Sequence, residues 1–378
     1  MIDNKKVSIL IFIFLLILAS LAGCNQNNAA NNAQNENQEE SVQEESPQKE
    51  EEPATRMFTD STGREVELPT NITKIVPSGP IAQMVLYSIA PEKIIGWART
   101  PSGDSAKYFD QKALDLPTFG MFYGDTFNLE AIIAAKPDVI IDIGEAKGSI
   151  KEDMDEIQET TGIPTIFIEA ELGTTPEAYM SLGEILSKEE YGKKLADYSA
   201  EVIQSAQDFV REKPENEWVS IFYGIGENGL NTNGKGSFHS AIFDFVGLDN
   251  VAVIEQAASK GGGNEVTVEQ LLLWQPEVIV FEPNSMYDAV LAGDPLWKDL
   301  KAVQEGKVYE VPEGPYNWLS YPPSINRILG IKWLGNLFYP EQFNFDMLEE
   351  TKEFYQLFYH YELTYEEATE LLSRSSLK

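Results

Sequence analysis

The chain has 378 residues, room for two or three domains, and 43% of them are hydrophobic, enough for substantial cores. Its 28 basic residues stand against 61 acidic ones, a net charge of −33. An acidic chain repels phosphate, which excludes nucleic acid as a partner and disfavours broad adhesion to anionic lipid.

Residues 1–23 read as a targeting segment: Lys5 and Lys6, the apolar run Val7 to Leu18, then Leu21-Ala22-Gly23-Cys24. The last four residues resemble a bacterial lipobox, which implies cleavage before Cys24 and a lipid on its sulfur. A plain transmembrane anchor is the alternative, but the apolar run is short for a span. Cys24 is the chain's only cysteine, so no intrachain disulfide is expected. Residues 24–56 form an acidic stretch of Asn, Gln, Glu and Ala, with eight Glu and one Lys between Asn25 and Glu52. Such a composition buries too little surface to offset chain entropy, and a disordered tether is expected.

Residues 57–174 read as an α/β lobe. Thr59 to Pro69 predicts a hairpin turning near Thr62-Gly63, and Ile72 to Val76 a strand. Ser78-Gly79-Pro80 opens a helix to Ala90. Lys93 to Trp97 predicts a strand, Arg99 to Phe119 a loop or short helix, and Asp138 to Asp142 a strand. Ile150 to Thr161 reads as a helix and Pro164 to Ile168 as a further strand. Strands alternating with helices imply a parallel sheet with right-handed crossovers.

Residues 175–213 predict two helices. The second, from Ser187 to Lys213, carries one apolar face through Leu195, Tyr198, Val202, Ala206, Phe209 and Val210. At 1.5 Å per residue it would be about 39 Å long, enough to bridge two lobes.

Residues 214–378 read as a second α/β lobe with terminal helices. Strands are predicted at Trp218 to Tyr223, Val251 to Ile254, Glu277 to Phe281 and Val308 to Val311. Gly224 to Gly236 is a glycine-rich loop, Phe238 to Val246 a helix, and Lys260 to Gly263 a flexible turn. The aromatic loop Gly314 to Tyr321 precedes a helix from Pro322 to Leu337. Helices at Phe345 to Tyr359 and Tyr365 to Ser373 close the chain.

One stretch occurs twice. Asn128 to Ile141 reads NLEAIIAAKPDVII, and Thr267 to Val280 reads TVEQLLLWQPEVIV. Asn128 and Thr267 suit helix N-caps. Glu130 and Glu269 complement the first turn, Pro137 and Pro276 end the helix, and the β-branched runs suit buried parallel strands. Two distant copies predict two similar lobes rather than a solenoid.

No nucleophile elbow, Walker loop, HExxH or CxxC motif is present. The two histidines, His239 and His360, speak against a site built of several imidazoles. Ligands of parallel sheets bind beyond the carboxyl ends of strands. Those ends carry Ser78, Trp97, Arg99, Glu145, Tyr223 and the loop with Tyr316 and Trp318, and Arg327 follows that loop as one of six arginines. Cations beside aromatic rings suit a planar or anionic ligand.

The lipobox with its acidic tether, the hairpin DSTGREVELP, the turn IVPSGP, the repeated stretch and the segment PYNWLSYPPSINRILGIKWL together resemble the class III solute-binding proteins of ABC importers, the iron-siderophore, haem and cobalamin group. The resemblance covers Phe58 to Glu341. It implies two parallel-sheet lobes joined by one long helix, a ligand cleft between them, and an extracytoplasmic protein anchored to the bilayer through Cys24. It also implies a permease partner met by a glutamate on each lobe, here Glu130 and Glu269. A ferric siderophore or similar metal chelate is the expected ligand. Haem, with His239, Met121 or Tyr123 as axial group, a corrinoid, or a molybdate-type oxyanion are the alternatives. A monomer with no catalysis and no resident cofactor is expected. The readings of another class are an extracellular hydrolase using Glu145 and Glu282, and a surface adhesin.

Overall fold

The structure, a computed structural model, describes residues 54–124, 126–254 and 262–375. The leader, Cys24, residues 25–53 of the tether and the Lys260-Gly261 part of the expected turn lie outside the described residues; the tether was expected to run to Arg56, but Thr55 and Arg56 already pair with Pro69 and Leu68 in the first hairpin. Among the described residues no helix is long and apolar enough to cross a membrane.

The hairpin is formed by β1 (Thr55–Thr59) and β2 (Glu65–Pro69), antiparallel with Thr59 opposite Glu65. Its turn explains the DSTGR motif. Asp60 accepts from Thr62 and Arg64 amides, while the buried Arg64 reaches Asp60, Asp155 and the Thr165 carbonyl. Gly63 takes the left-handed φ of 80° that closes the turn. The first sheet follows from β3 (Ile75–Pro77), then α1 (Pro80–Ile89), α2 (Gln111–Leu114), α3 (Leu129–Ala135), β4 (Val139–Gly144), α4 (Ile150–Thr161) and β5 (Thr165–Glu169). Its order is β3-β4-β5, all parallel. The expected strand at 93–97 is divided between two partners. Ile94 bridges Ile75, and Trp97 bridges Thr118. Pro91 to Lys93 is a helical turn instead.

Helices α5 (Thr175–Ile185) and α6 (Glu189–Glu212) follow the first sheet, with α5 packed on β5, α1 and α6. Gly192 permits their close approach, because a Cβ there would lie 2.7 Å from the Tyr179 carbonyl oxygen.

The second lobe contains β6 (Val219–Gly224), β7 (Asn231–Thr232), α7 (Ala241–Phe245), β8 (Leu248–Asn250), β9 (Asn264–Glu265), α8 (Val268–Trp274), β10 (Val278–Phe281), α9 (Tyr287–Leu291), α10 (Lys301–Gln304), β11 (Val308–Glu310), α11 (Asn326–Phe338), α12 (Met347–Phe358) and α13 (Tyr365–Leu372). Its sheet order is β11-β10-β6-β8, again parallel. The strand expected at 251–254 lies earlier, at β8, and Val253 is solvent-exposed. Helix α6 packs against α1 of the first lobe and against α7 and α11 of the second, so it is the bridge. Helix α12 touches α1 and α11 as well, a second tie.

Both sheets are covered on both faces, which is why their strands are continuous apolar runs. Alternate residues part cleanly. Ile141 and Val280 join the large central core, while Ile140 belongs to a core under α3 and α4, and Ile279 to one under α8.

Candidate ligand cleft

The two repeat copies fold alike. Asn128 accepts from the Ala131 amide, and Thr267 from the Gln270 amide with Gln270 reciprocating. Each helix ends on a left-handed residue at the same place, Lys136 at φ 51° and Gln275 at φ 44°, immediately before the shared proline. The acid after each proline then ties two strands. Asp138 accepts from Thr73 and Lys74, and Glu277 accepts from Ser220. These contacts fix the strand starts, and so the strand ends that face the cleft.

At the carboxyl ends, the second lobe contributes Arg327. It is 2% exposed, and its Nε donates to the Leu319 carbonyl at 2.9 Å and its Nη2 to the Phe238 carbonyl at 2.7 Å. The guanidinium also lies over the Phe238 ring, 5.0 Å from its centroid. None of the ion pairs among the described residues includes it. Burial pushes its pKa down to about 9, against the opposing fields of Tyr223, Glu145 and Glu171. It remains a cation at neutral pH, without a contact counter-charge.

Glu145 and Glu171 come from the first lobe, just past β4 and β5. Glu171 is held above the usual carboxylate range by desolvation and then by Glu169 and Glu145, with Arg327 pulling the other way. His239 is half-buried. Burial lowers its pKa first, and then the charge of Arg327, with Lys147 adding to the effect. Its Nδ1 is buried with no partner. His239 thus feels the charge of a cation from each lobe. Lys147 itself sits 3.7 Å from the centroid of the Tyr123 ring, and the Tyr123 hydroxyl donates to Asp153.

The remaining expected residues divide. Ser78 is buried and donates to Asp142, whose own pKa is raised by burial. Tyr223 is buried and its hydroxyl accepts from Asn317 at 3.0 Å. Arg99 is exposed, and its amide donates to Gln83. Tyr316 accepts from Gln83 at 2.9 Å, a hydrogen bond between the lobes, and burial raises its pKa to about 12. Trp97 and Trp318 do not line the cleft. Both are 0% exposed. Trp97 donates to the Ala113 carbonyl and packs against Tyr87 and Phe109. Helix α11 begins at Asn326, later than expected, because Asn317 holds the Leu319 and Ser320 amides in a preceding turn. Arg327 therefore occupies the first helical turn.

Sequence reasoning missed Glu171, Lys147, Phe238 and Gln83. Applying the strand-end rule to β5 would have found Glu171, and Lys147 lies two residues past Glu145. Gln83 carried no signal, since it lies within the buried run of α1.

The model of the periplasmic binding protein family matches residues 80–315. The solved structure of an ABC transporter solute binding protein from Sulfurospirillum deleyianum is 33% identical at TM-score 0.78, covering 84% of this chain and 99% of that one. A periplasmic solute binding protein from Veillonella parvula is 26% identical at TM-score 0.66, covering 85% and 98%. The Fe(3+)-citrate-binding protein YfmC of Bacillus subtilis is 29% identical over 187 residues, 48% of this chain. The chain spans 56% of that relative's length and 64% of a second curated relative's. The chain belongs to the periplasmic binding protein family, as its motifs implied.

Proposed function

We propose that this protein captures an anionic metal chelate, a ferric siderophore or ferric hydroxycarboxylate, between its lobes and hands it to the permease of an ABC importer without chemical change. The observation that carries the reading is Arg327, a buried guanidinium without an ion-pair partner among the described residues. Burying an unpaired charge is costly, and a bound anion relieves that cost. Iron enters from the name of the Bacillus subtilis relative. The non-catalytic reading is supported by the separate engagements of the two candidate carboxylates. Glu282 accepts from the Gly226 amide within its own lobe, whereas Glu145 acts on Arg327 across the cleft. In this reading Cys24 carries the lipid anchor, the mature chain works as a monomer outside the membrane, and the exposed Glu130 and Glu269 meet basic groups of the permease. Exposed acids of this kind steer encounter and fix register.

The test is calorimetric titration of the purified protein with ferric citrate, a ferric siderophore, haem, a corrinoid and molybdate. An anionic ferric chelate is expected to saturate the protein. Arg327→Met should weaken it about 10- to 100-fold, the loss of charge-assisted hydrogen bonds. Binding of molybdate alone, or an unchanged affinity in Arg327→Met, would overturn the reading. Calorimetry is preferred to tryptophan fluorescence because Trp97 and Trp318 lie in the core.

A further inference from the structure

Helices α3 and α8 are seven residues each, and each buries one residue fully, Ile132 and Leu271, at equivalent positions of the repeat. Ala131, Ala135 and Trp274 pack partly against the same cores, whereas the exposed positions of each helix are free to be polar, and Glu130, Glu269 and Gln270 are. One helical turn beyond the exposed acid, each copy presents an exposed aliphatic residue. Ile133 follows Glu130 and is 43% exposed; Leu272 follows Glu269 and is 37% exposed. Leu273, next in the second copy, is 84% exposed. Residues three and four apart share a helix face, so acid and aliphatic side chain form one patch on each helix.

A single exposed leucine needs no explanation. The same pairing in the same register of two lobes does, because the strand cores and caps do not require it. Resting on the proposed import function, we infer that Ile133 and Leu272, with Leu273, are aliphatic contacts that seat the protein on its permease, each beside a glutamate. The fitting partner presents a basic group next to an apolar pocket, and does so twice. A second copy of this chain does not fit, since glutamate would face glutamate in a protein of net charge −33. An anionic lipid surface fails for the same reason. The aliphatic contacts supply burial, while the acids supply orientation.

The experiment uses the full chain in cells whose only copy is the variant, following uptake of radiolabelled ferric citrate, with calorimetry of the same variants. Changing Ile133, Leu272 and Leu273 together to Gln is expected to lower uptake about 10-fold, equivalent to about 1.4 kcal/mol of docking energy, with ligand affinity unchanged. Ile133→Leu with Leu272→Ile should retain uptake, since the contact is apolar rather than shape-specific. Leu291→Gln with Leu296→Gln removes comparably exposed aliphatics, at 50% and 58%, and should transport normally. Normal uptake by the triple variant overturns the inference, as does an equal loss in the control pair or a parallel loss of ligand affinity. A concentration-dependent dimer that the triple variant abolishes would overturn it too, by assigning the patch to self-association. If ferric citrate neither binds nor enters with the wild-type chain, the import reading itself has failed and the inference falls with it; if Glu130→Ala with Glu269→Ala transports normally while the aliphatic triple variant does not, import stands and only the docking role of the two glutamates is lost.

Discussion

The two lobes are alike at one end of their sheets and unlike at the other. Where strands begin, β4 and β10 share a cap, a left-handed residue, a proline and a strand-tying acid. Where the strands end, the first lobe continues Gly144-Glu145-Ala146-Lys147 and the second Phe281-Glu282-Pro283-Asn284. The first sheet has three strands and the second four, and it is the second lobe that carries Arg327 and His239. The shared end repeats local rules that any helix-to-strand connection must satisfy. The divergent end lies past those connections and shares none of these contacts. Similarity thus marks what both lobes must do in common, and in the proposed function the divergent end is where a ligand without two-fold symmetry would be read.

If the shared end is a structural equivalence, matched mutations should have matched costs. The largest effect is expected at the anchors. Ile132→Ala and Leu271→Ala each empty a site that is 0% exposed, and each should cost about 2–5 kcal/mol in urea unfolding. A cost confined to one lobe would show that one copy is vestigial. The strand-tying acids come next. Asp138→Ala leaves two amides and a hydroxyl without their acceptor, whereas Glu277→Ala releases one amide and a hydroxyl. Losses of about 1–3 kcal/mol are expected, larger for Asp138 because it accepts more bonds. Smaller again are the caps. Asn128→Ala and Thr267→Ala should each cost about 1 kcal/mol, since each removes the side-chain acceptor of one first-turn amide.

The same division governs what could be read from sequence. The repeat, the hairpin and α6 were legible because caps, prolines and apolar periodicity act within a few residues. The strand β8 was not, because Leu248-Asp249-Asn250 has poor strand propensity and is recruited by the edge of β6. The short α9 and α10, at four or five residues, are too brief to show a period. Arg327 and Glu145 were singled out as a rare cation and a strand-end acid, and His239 as one of two histidines; the structure brings the fields of Glu145 and Arg327 together. Trp97 and Trp318 were misplaced, since a strand end predicts position along the strand but not which face a side chain takes. Burial of Trp97 is settled by Tyr87 and Phe109, neither of which is local to it. The hydrogen bond from Gln83 to Tyr316 joins residues far apart in the chain and left no local trace.

The smallest effect separates the cleft from the rest of the molecule, using the two histidines. His360 is stacked on Tyr191, with Nε2 near the Tyr87 carbonyl, and burial lowers its pKa. His239 is lowered by burial and then by Arg327. Each folded-state pKa therefore lies below the unfolded value of about 6.5. The unfolded chain binds the proton more readily, so the contribution of each neutral imidazole to stability is complete above that pH and is lost as pH falls through the folded pKa. Raised carboxylates such as Asp142 and Glu282 act in the opposite direction, so the difference between variant and wild type is the quantity to follow. Both His239→Gln and His360→Gln should flatten the fall in melting temperature between about pH 7 and pH 5. Ligand binding should tell them apart. Protonating His239 places another positive charge beside Arg327 and Lys147, so affinity for a chelate of constant negative charge should rise a few-fold as pH falls over that range. His239→Gln should abolish the rise and His360→Gln should keep it. If both variants keep it, His239 does not face the bound anion, and the cleft is read by Arg327 without it.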